Sequence, residues 1–185
     1  SILICIPLAF YYQHANQFLN EIGMNAAASK MVLGQISEVL FLLLLPLFIK
    51  RYGIKNALIV GILAWGVRYM LFAFGDTGVK SWMLIFGILL HGVCYDFFFV
   101  SGQIYTDFKA GEKYKSTAQG LITLATYGIG MLIGFRFAGW LTDQYISDIG
   151  HLWKKIWIQP AIFSFVVLTL FLIFFKNETI KFKSL

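Results

Sequence analysis

Apolar residues fall in six long blocks, at roughly 1–19, 31–49, 56–74, 82–106, 117–141 and 156–175, separated by short polar or basic connections. Runs such as Val39–Phe48 and Phe163–Phe175 do not alternate in polarity. A strand of a membrane barrel is about 10 residues of alternating polarity, whereas a helix needs about 20 apolar residues to span a bilayer. The pattern therefore predicts an all-α membrane protein with six transmembrane helices. The connections have turn chemistry: Arg51-Tyr52-Gly53-Ile54-Lys55 is tight and basic, Gly75-Asp76-Thr77-Gly78 is a turn, and Gly111 breaks the connection at 107–116. The stretch 142–155 is longer and amphipathic and is expected to lie in the outer membrane interface. Trp82, Trp140, Trp153 and Trp157 fall near proposed outer ends, as in an aromatic belt. The first block starts at residue 1 with no basic stretch before it and no small-residue cleavage site after it, so a piece of a longer protein is expected.

Composition narrows the classes further. Of 185 residues, 59% are hydrophobic and only 13% charged, against about 25% charged in soluble domains. Disorder requires the opposite balance. Two cysteines, Cys5 and Cys94, each inside an apolar run, make no disulfide scaffold.

Charge sets the orientation. Lys50, Arg51, Lys55, Lys109, Lys113, Lys115, Lys176, Lys181 and Lys183 fall on one side, and Lys30, Lys80, Lys154 and Lys155 on the other. The positive-inside rule puts the richer side, with the C-terminus, in the cytoplasm. The net charge of +6 is mostly this bias and calls for no nucleic-acid partner. Short loops suggest a bacterial inner-membrane protein.

Four ionisable groups lie inside the blocks: Glu38, Arg68, Asp96 and Arg136. Each costs about 2.5–3.5 kcal/mol at membrane depth on insertion scales, so each is expected to face a cavity or a partner. Gln35 shares a helical face with Glu38, and Gly34 beside them permits close approach. Gln13 and Asn16 stand one turn apart, Asn20 continues the stripe, and Tyr12 adjoins it. Paired carboxamides offer donors and acceptors together, which suits a nucleobase or a sugar; the alternative is hydrogen bonding between helices. His14 points away and reads as a packing residue.

The fourth block runs His91-Gly-Val-Cys-Tyr95-Asp96-Phe-Phe-Phe-Val-Ser-Gly-Gln103. On α-helical spacing His91, Tyr95, Phe98 and Gly102 share one face, and Asp96, Phe99, Gln103 and Asp107 the next. Tyr95 with Asp96 reads as a ring-stacking and hydroxyl-binding pair. The alternative for Asp96 is a structural ion pair with Arg68, since an unpaired buried charge is expensive. Arg136 reads as a snorkelling residue. Gly130 and Gly134 form a small-xxx-small pair suited to close helix crossing. There is no phosphate-cradling loop, nucleophile elbow or metal-ligand spacing, so neither an enzyme, a cofactor nor a metal is expected.

Taken together, the chain resembles the C-terminal half, spans seven to twelve, of a major facilitator superfamily transporter, with Arg51-x-Gly53-x-Lys55 similar to the superfamily's basic loop motif. It resembles most the nucleoside:proton symporter family, through Tyr12-Gln13-x-x-Asn16-x-Phe18-Leu19, Gly34-Gln35-x-x-Glu38, Trp65-x-x-Arg68-Tyr69 and His91-Gly92-x-x-Tyr95-Asp96-Phe97-Phe98-x-x-Ser101-Gly102. The resemblance implies that residues 1–185 form one six-helix domain and that the N-terminal half of the same transporter is the partner. It implies that Gln13, Asn16, Gln35, Glu38, Tyr95, Phe98 and Phe99 line a nucleoside site, and that uptake is coupled to a proton carried by Glu38 or Asp96. A transporter of a sugar or another metabolite, and a non-transporting six-helix module, are the other readings.

Overall fold

The computed structural model describes residues 2–148 and 150–175. Lys176, Lys181 and Lys183 of the basic side lie outside the described residues. The described residues are almost wholly helical. They comprise α1 (Ile2–Glu21), α2 (Ala27–Tyr52), α3 (Ile54–Phe74), α4 (Ser81–Tyr95), α5 (Ser101–Thr123), α6 (Met131–Asp143) and α7 (Trp153–Phe174). Two π-helical segments, Asp96–Val100 and Leu124–Gly130, join α4 to α5 and α5 to α6. A short antiparallel ribbon pairs β1 (Ile146–Ser147) with β2 (Gly150–His151).

Among the described residues, four helical stretches are long and apolar enough to cross a membrane: Ala27–Tyr52, Ile54–Phe74, Ser81–Asp143 and Trp153–Phe174. This differs from the six expected blocks for two physical reasons. The second half of α1 carries Tyr12, Gln13, His14, Asn16, Gln17 and Asn20, which lower its hydropathy. The third stretch is 63 residues long and is broken at Gly111, whose φ of 66° and ψ of 170° are non-helical. Gly53 has nearly the same backbone, φ 82° and ψ 163°, between α2 and α3. Its N–H donates to Ile49 O (2.8 Å) and its carbonyl accepts from Ala57 N (3.3 Å), so one residue ends one helix and starts the next. Positive φ is a backbone state that suits glycine and strains other residues.

The two ends of the bundle are tied differently. At the basic end Lys55 Nζ donates to Phe175 O (2.7 Å), and Tyr105 packs on Phe175. At the opposite end Glu21 holds His151, and Thr77 donates to Ile22 O (3.4 Å). The stretch 142–155 forms the ribbon and the start of α7 instead of lying as an amphipathic surface segment. Trp153 and Trp157 are buried, stacked with each other and packed on Phe18, whereas Trp82 and Trp140 are exposed as belt residues would be. Burial against α1 and α3 claims the first two because they begin α7 on its inner face.

The core is aromatic, with Trp65, Tyr69 and Phe72 of α3 packed among α7 and α1. Small residues let helices touch. A Cβ at Gly130 or Gly134 would stand 2.9 Å from Cys5 Cβ or 2.8 Å from Ala9 Cβ, so the expected small-residue pair does pack a crossing, against α1. At Gly92 a Cβ would meet the Ser37 backbone at 2.5 Å. There the Ser37 hydroxyl accepts from Gly92 N (3.1 Å) and donates to Gly34 O (2.7 Å), fixing α2 on α4. The outward faces are apolar, as Val39, Leu43, Leu47 and Leu132 show. Water would not tolerate such a surface at this extent; a bilayer would.

Candidate functional site

The polar residues of α1, α2 and α4 gather toward one open face. Tyr12, Gln13, Asn16 and Asn20 are all exposed. Asn20 Nδ2 donates to Asn16 Oδ1 (2.7 Å), and Asn16 Nδ2 reaches Met31 Sδ of α2 (3.6 Å). Gln13 turns to the other side, where a Cβ on Gly139 of α6 would be 3.3 Å from its Nε2. The two carboxamides thus flank the exposed strip of α1. Gln35, with its amide oriented to donate, bonds the carbonyls of Met31 (2.8 Å) and Val32 (3.3 Å) on its own helix.

Glu38 is a third exposed, and its Oε2 lies 3.6 Å from His91 Nε2. His91 Nδ1 is 2.9 Å from Arg68 Nη1. Arg68 is fully buried, with its Cζ 3.6 Å from the centre of the Tyr11 ring and 5.6 Å from those of Trp65 and Phe72. Three helices therefore contribute a carboxylate, an imidazole and a guanidinium in line.

The expected ion pair between Arg68 and Asp96 is not formed. Arg68 is engaged by His91 and the Tyr11 ring, and neither carboxylate oxygen of buried Asp96 has a hydrogen-bond partner in the structure. Asp96 opens the first π-helical segment. Such single wide turns recur at functional sites.

The aromatic residues form a second group. Tyr95 stacks near His91 (6.0 Å) and packs on Phe99 (5.4 Å), and Phe98 meets Phe99 edge-on. The hydroxyls of Tyr95 and Tyr127 share a hydrogen bond, joining the two π-helical regions. Phe98, Phe99, Gln103, Thr126, Tyr127 and Phe171 are among the lining of a largely apolar cavity of about 550 Å³. Gln13, Asn16, Gln35, Glu38 and Tyr95 do not line it. The nine residues singled out from sequence thus divide. Asn16, Gln35 and Glu38 lie on the open side of α1 and α2, Gln13 turns toward α6, Phe98 and Phe99 face the cavity, Tyr95 stands between, and Arg68 and Asp96 are buried apart.

Sequence reasoning did not single out His91 or Tyr127 as site residues. His91 lies one turn before Tyr95, and that i, i+4 spacing was the available signal. Tyr127 is the one large polar side chain within Leu124–Gly130, where Gly128 and Gly130 follow it. Arg136 is exposed on α6. Among the described residues no three His, Cys, Asp or Glu side chains cluster as a metal site.

Outside the apolar blocks two carboxylates have defined charge. Burial pushes Glu21 up, but the main-chain N–H and ring of His151 outweigh it and hold the carboxyl below its ordinary value. The Gln119 amide (2.5 Å) and, more weakly, Lys115 hold Asp107 below its own.

Comparison with known proteins adds the family. The family model described as "Nucleoside H+ symporter" matches residues 1–180. The chain is 41% identical over 186 residues to the putative nucleoside transporter YegT of Escherichia coli (strain K12), a match covering 96% of this chain and 44% of that protein. It is 32% identical over 165 residues to the nucleoside permease NupG of the same organism, covering 89% and 40%. It is 31% identical over 171 residues to the xanthosine permease of that organism, covering 92% and 41%. The crystal structure of nucleoside transporter NupG superposes with a TM-score of 0.83 at 31% identity, covering 96% of this chain and 47% of that one. The chain spans less than half the length of the curated relatives it matches.

Proposed function

The chain belongs to the nucleoside H+ symporter family, and from that premise we propose that it is one half of a multi-pass transporter that carries a nucleoside into the cell together with a proton. The membrane crossings are α1, α2, α3, the two arms of Ser81–Asp143 on either side of Gly111, and α7, which makes six. Residues 1–185 are then a single domain of major facilitator type, working against an N-terminal half of the same transporter in a bacterial inner membrane. The basic end, with Lys50, Arg51, Lys55, Lys109, Lys113 and Lys115, faces the cytoplasm.

One observation carries the reading. Gln35 and Glu38 stay at least partly exposed on α2, whose other exposed side chains are largely apolar, and Gln13 and Asn16 are exposed on the neighbouring α1. Polar groups left open at membrane depth are costly unless they serve a ligand or a partner. In such folds the substrate site lies between the repeats near the midplane. Gln13 and Asn16 read the base edge, Gln35 and Glu38 hold ribose hydroxyls, and Tyr95, backed by Phe99, packs the ring.

Protonation of Glu38 is the coupling step. Asp96 is a second carboxylate able to take part, and its two unpartnered oxygens support a proton-linked role over a structural one. Substrate and proton act only through their different affinities for the outward-open and inward-open states. The chemistry is transport, with no bond made or broken in the substrate.

The test is uptake of labelled uridine and adenosine by cells expressing the intact protein that carries this chain, with and without an imposed proton gradient. Gradient-dependent accumulation is expected. Uptake of neither, with the protein confirmed in the membrane, would move the search to sugars and other metabolites.

A further inference from the structure

Arg68 is fully buried, and a guanidinium has only donors to offer. Its Nη1, 2.9 Å from His91 Nδ1, requires that nitrogen to accept. A neutral imidazole that accepts at Nδ1 carries its single proton on Nε2. That Nε2 is the atom turned to Glu38, 3.6 Å from Oε2. The ring has little freedom to turn away, since Tyr11 stacks on it at 5.1 Å and 29° and Tyr95 flanks it. At 3.6 Å the contact to Glu38 is longer than a hydrogen bond. The carboxylate is a third exposed, so a small rotation closes or opens the gap.

We propose that His91 is a positioning residue for Glu38: Arg68 fixes its tautomer, and its Nε2–H then orients the carboxylate and links it to the buried guanidinium. The proposal rests on the reading of Glu38 as the proton-linked group. With Glu38 ionised, the line from α3 through α4 to α2 carries one cation and one anion with a neutral ring between them. When Glu38 takes a proton, the ring donor loses its charged acceptor and Arg68 loses its counter-charge on that line. Proton binding at the open face is thereby felt at the packed contact of α3 with α4. The other ionisable groups around the line are Tyr12 of α1 and Asp96, both within electrostatic reach of Glu38, and Cys94 and Tyr69 beside Arg68. Among the described residues none of these bonds to His91 or Glu38.

The experiment compares wild type, His91→Gln and His91→Leu in the intact protein reconstituted in liposomes, reading proton-driven uridine accumulation against pH. A glutamine amide accepts from Arg68 and donates to Glu38, and it does not titrate. Leucine does neither. Loss of a donor to a charged carboxylate is worth about 1.5 kcal/mol, so in His91→Leu the pH midpoint of accumulation should move up by about one unit. His91→Gln should keep the wild-type midpoint. A wild-type midpoint in folded His91→Leu would reduce His91 to packing. Equal shifts in both variants would overturn the proposal in favour of titration of the ring itself. A readout needing no variant is the ¹⁵N resonance of His91 in wild type. A neutral ring protonated at Nε2 is expected, and a proton on Nδ1 would sink the idea. That spectrum tests the line even if the wild type moves no uridine with protons, an outcome that would count against the symporter reading alone.

Discussion

Glu21, at the end of α1, grips His151 of the β-ribbon through both its carboxylate oxygens. Oε1 accepts from the main-chain N–H at 2.7 Å and Oε2 meets ring Nδ1 at 2.8 Å. Gly150 makes the approach possible, because a Cβ there would stand 2.5 Å from Oε1. Glu21 is bound as the anion and its carboxyl is held below its ordinary value. A carboxylate lowered on folding contributes stability above its unfolded value, and that contribution is lost as pH falls through the folded one. Hydrogen exchange of the amides at 146–151 should therefore be slow near neutrality and rise in acid, below the ordinary carboxylate range. Glu21→Gln should loosen the ribbon by about 1 kcal/mol already at neutral pH, the size of a net hydrogen bond. Unchanged protection in that variant would mean that the ribbon holds by its own pairing.

The proton-coupling assignment concerns Glu38. Glu38→Gln keeps shape and hydrogen bonding but cannot change charge. Uridine accumulation against a gradient should vanish while exchange of labelled for unlabelled uridine persists. Concentrative uptake by this variant would leave Asp96 as the carboxylate to examine.

Substrate recognition by the α1 strip has its own measurement. Gln13→Ala or Asn16→Ala removes one or two hydrogen bonds to a polar ligand, each worth about 1 kcal/mol net. Apparent Kd for uridine should rise about fivefold to thirtyfold in each. Gln17→Ala, exposed on the same helix but outside the proposed site, should bind as wild type. Equal loss in all three would indicate damage to α1 and not to a contact.

Packing of α2 on α4 depends on Gly92. A methyl group at this position meets the Ser37 carbonyl and the Glu38 nitrogen at 2.5–2.6 Å. These are backbone atoms and cannot rotate aside. Gly92→Ala should cost about 1–3 kcal/mol, the scale of overpacking. A lowered melting temperature of the purified protein checks this. Ser37→Ala, which removes the hydroxyl that bridges the two helices, should cost about 1 kcal/mol.

The helices were legible because bilayer-length apolar blocks are a strong signal, and α2, α3 and α7 match their blocks to within a few residues. What escaped was which neighbour each polar residue meets. Helical spacing tells which side chains share a face of one helix, and it is silent on the helix opposite. Arg68 is buried in the bundle, yet its bond goes to His91, because α4 presents His91 to α3 where Asp96 was expected. The wide turn at Asp96–Val100 compounds this, since it rotates every later residue relative to an ideal α-helix. The separation of Phe98 and Phe99 from the carboxamides follows the same logic: they line an interior cavity that no pattern along a single helix reveals. Trp153 and Trp157 were read from hydropathy as belt residues, but tryptophan serves a core as readily as an interface.

The joint between α2 and α3 has a mechanical meaning. These helices, 26 and 21 residues long, meet with Gly53 alone between them, and that residue's amide and carbonyl are already committed to Ile49 and Ala57. No slack is stored in such a junction. A change of angle between the two rods must be taken up by the two torsions of a single residue, or by breaking one of those two bonds. The pair is a crank with one bearing, and the direction in which α2 and its Glu38 can swing relative to α3 and its Arg68 is set at the far end of both helices.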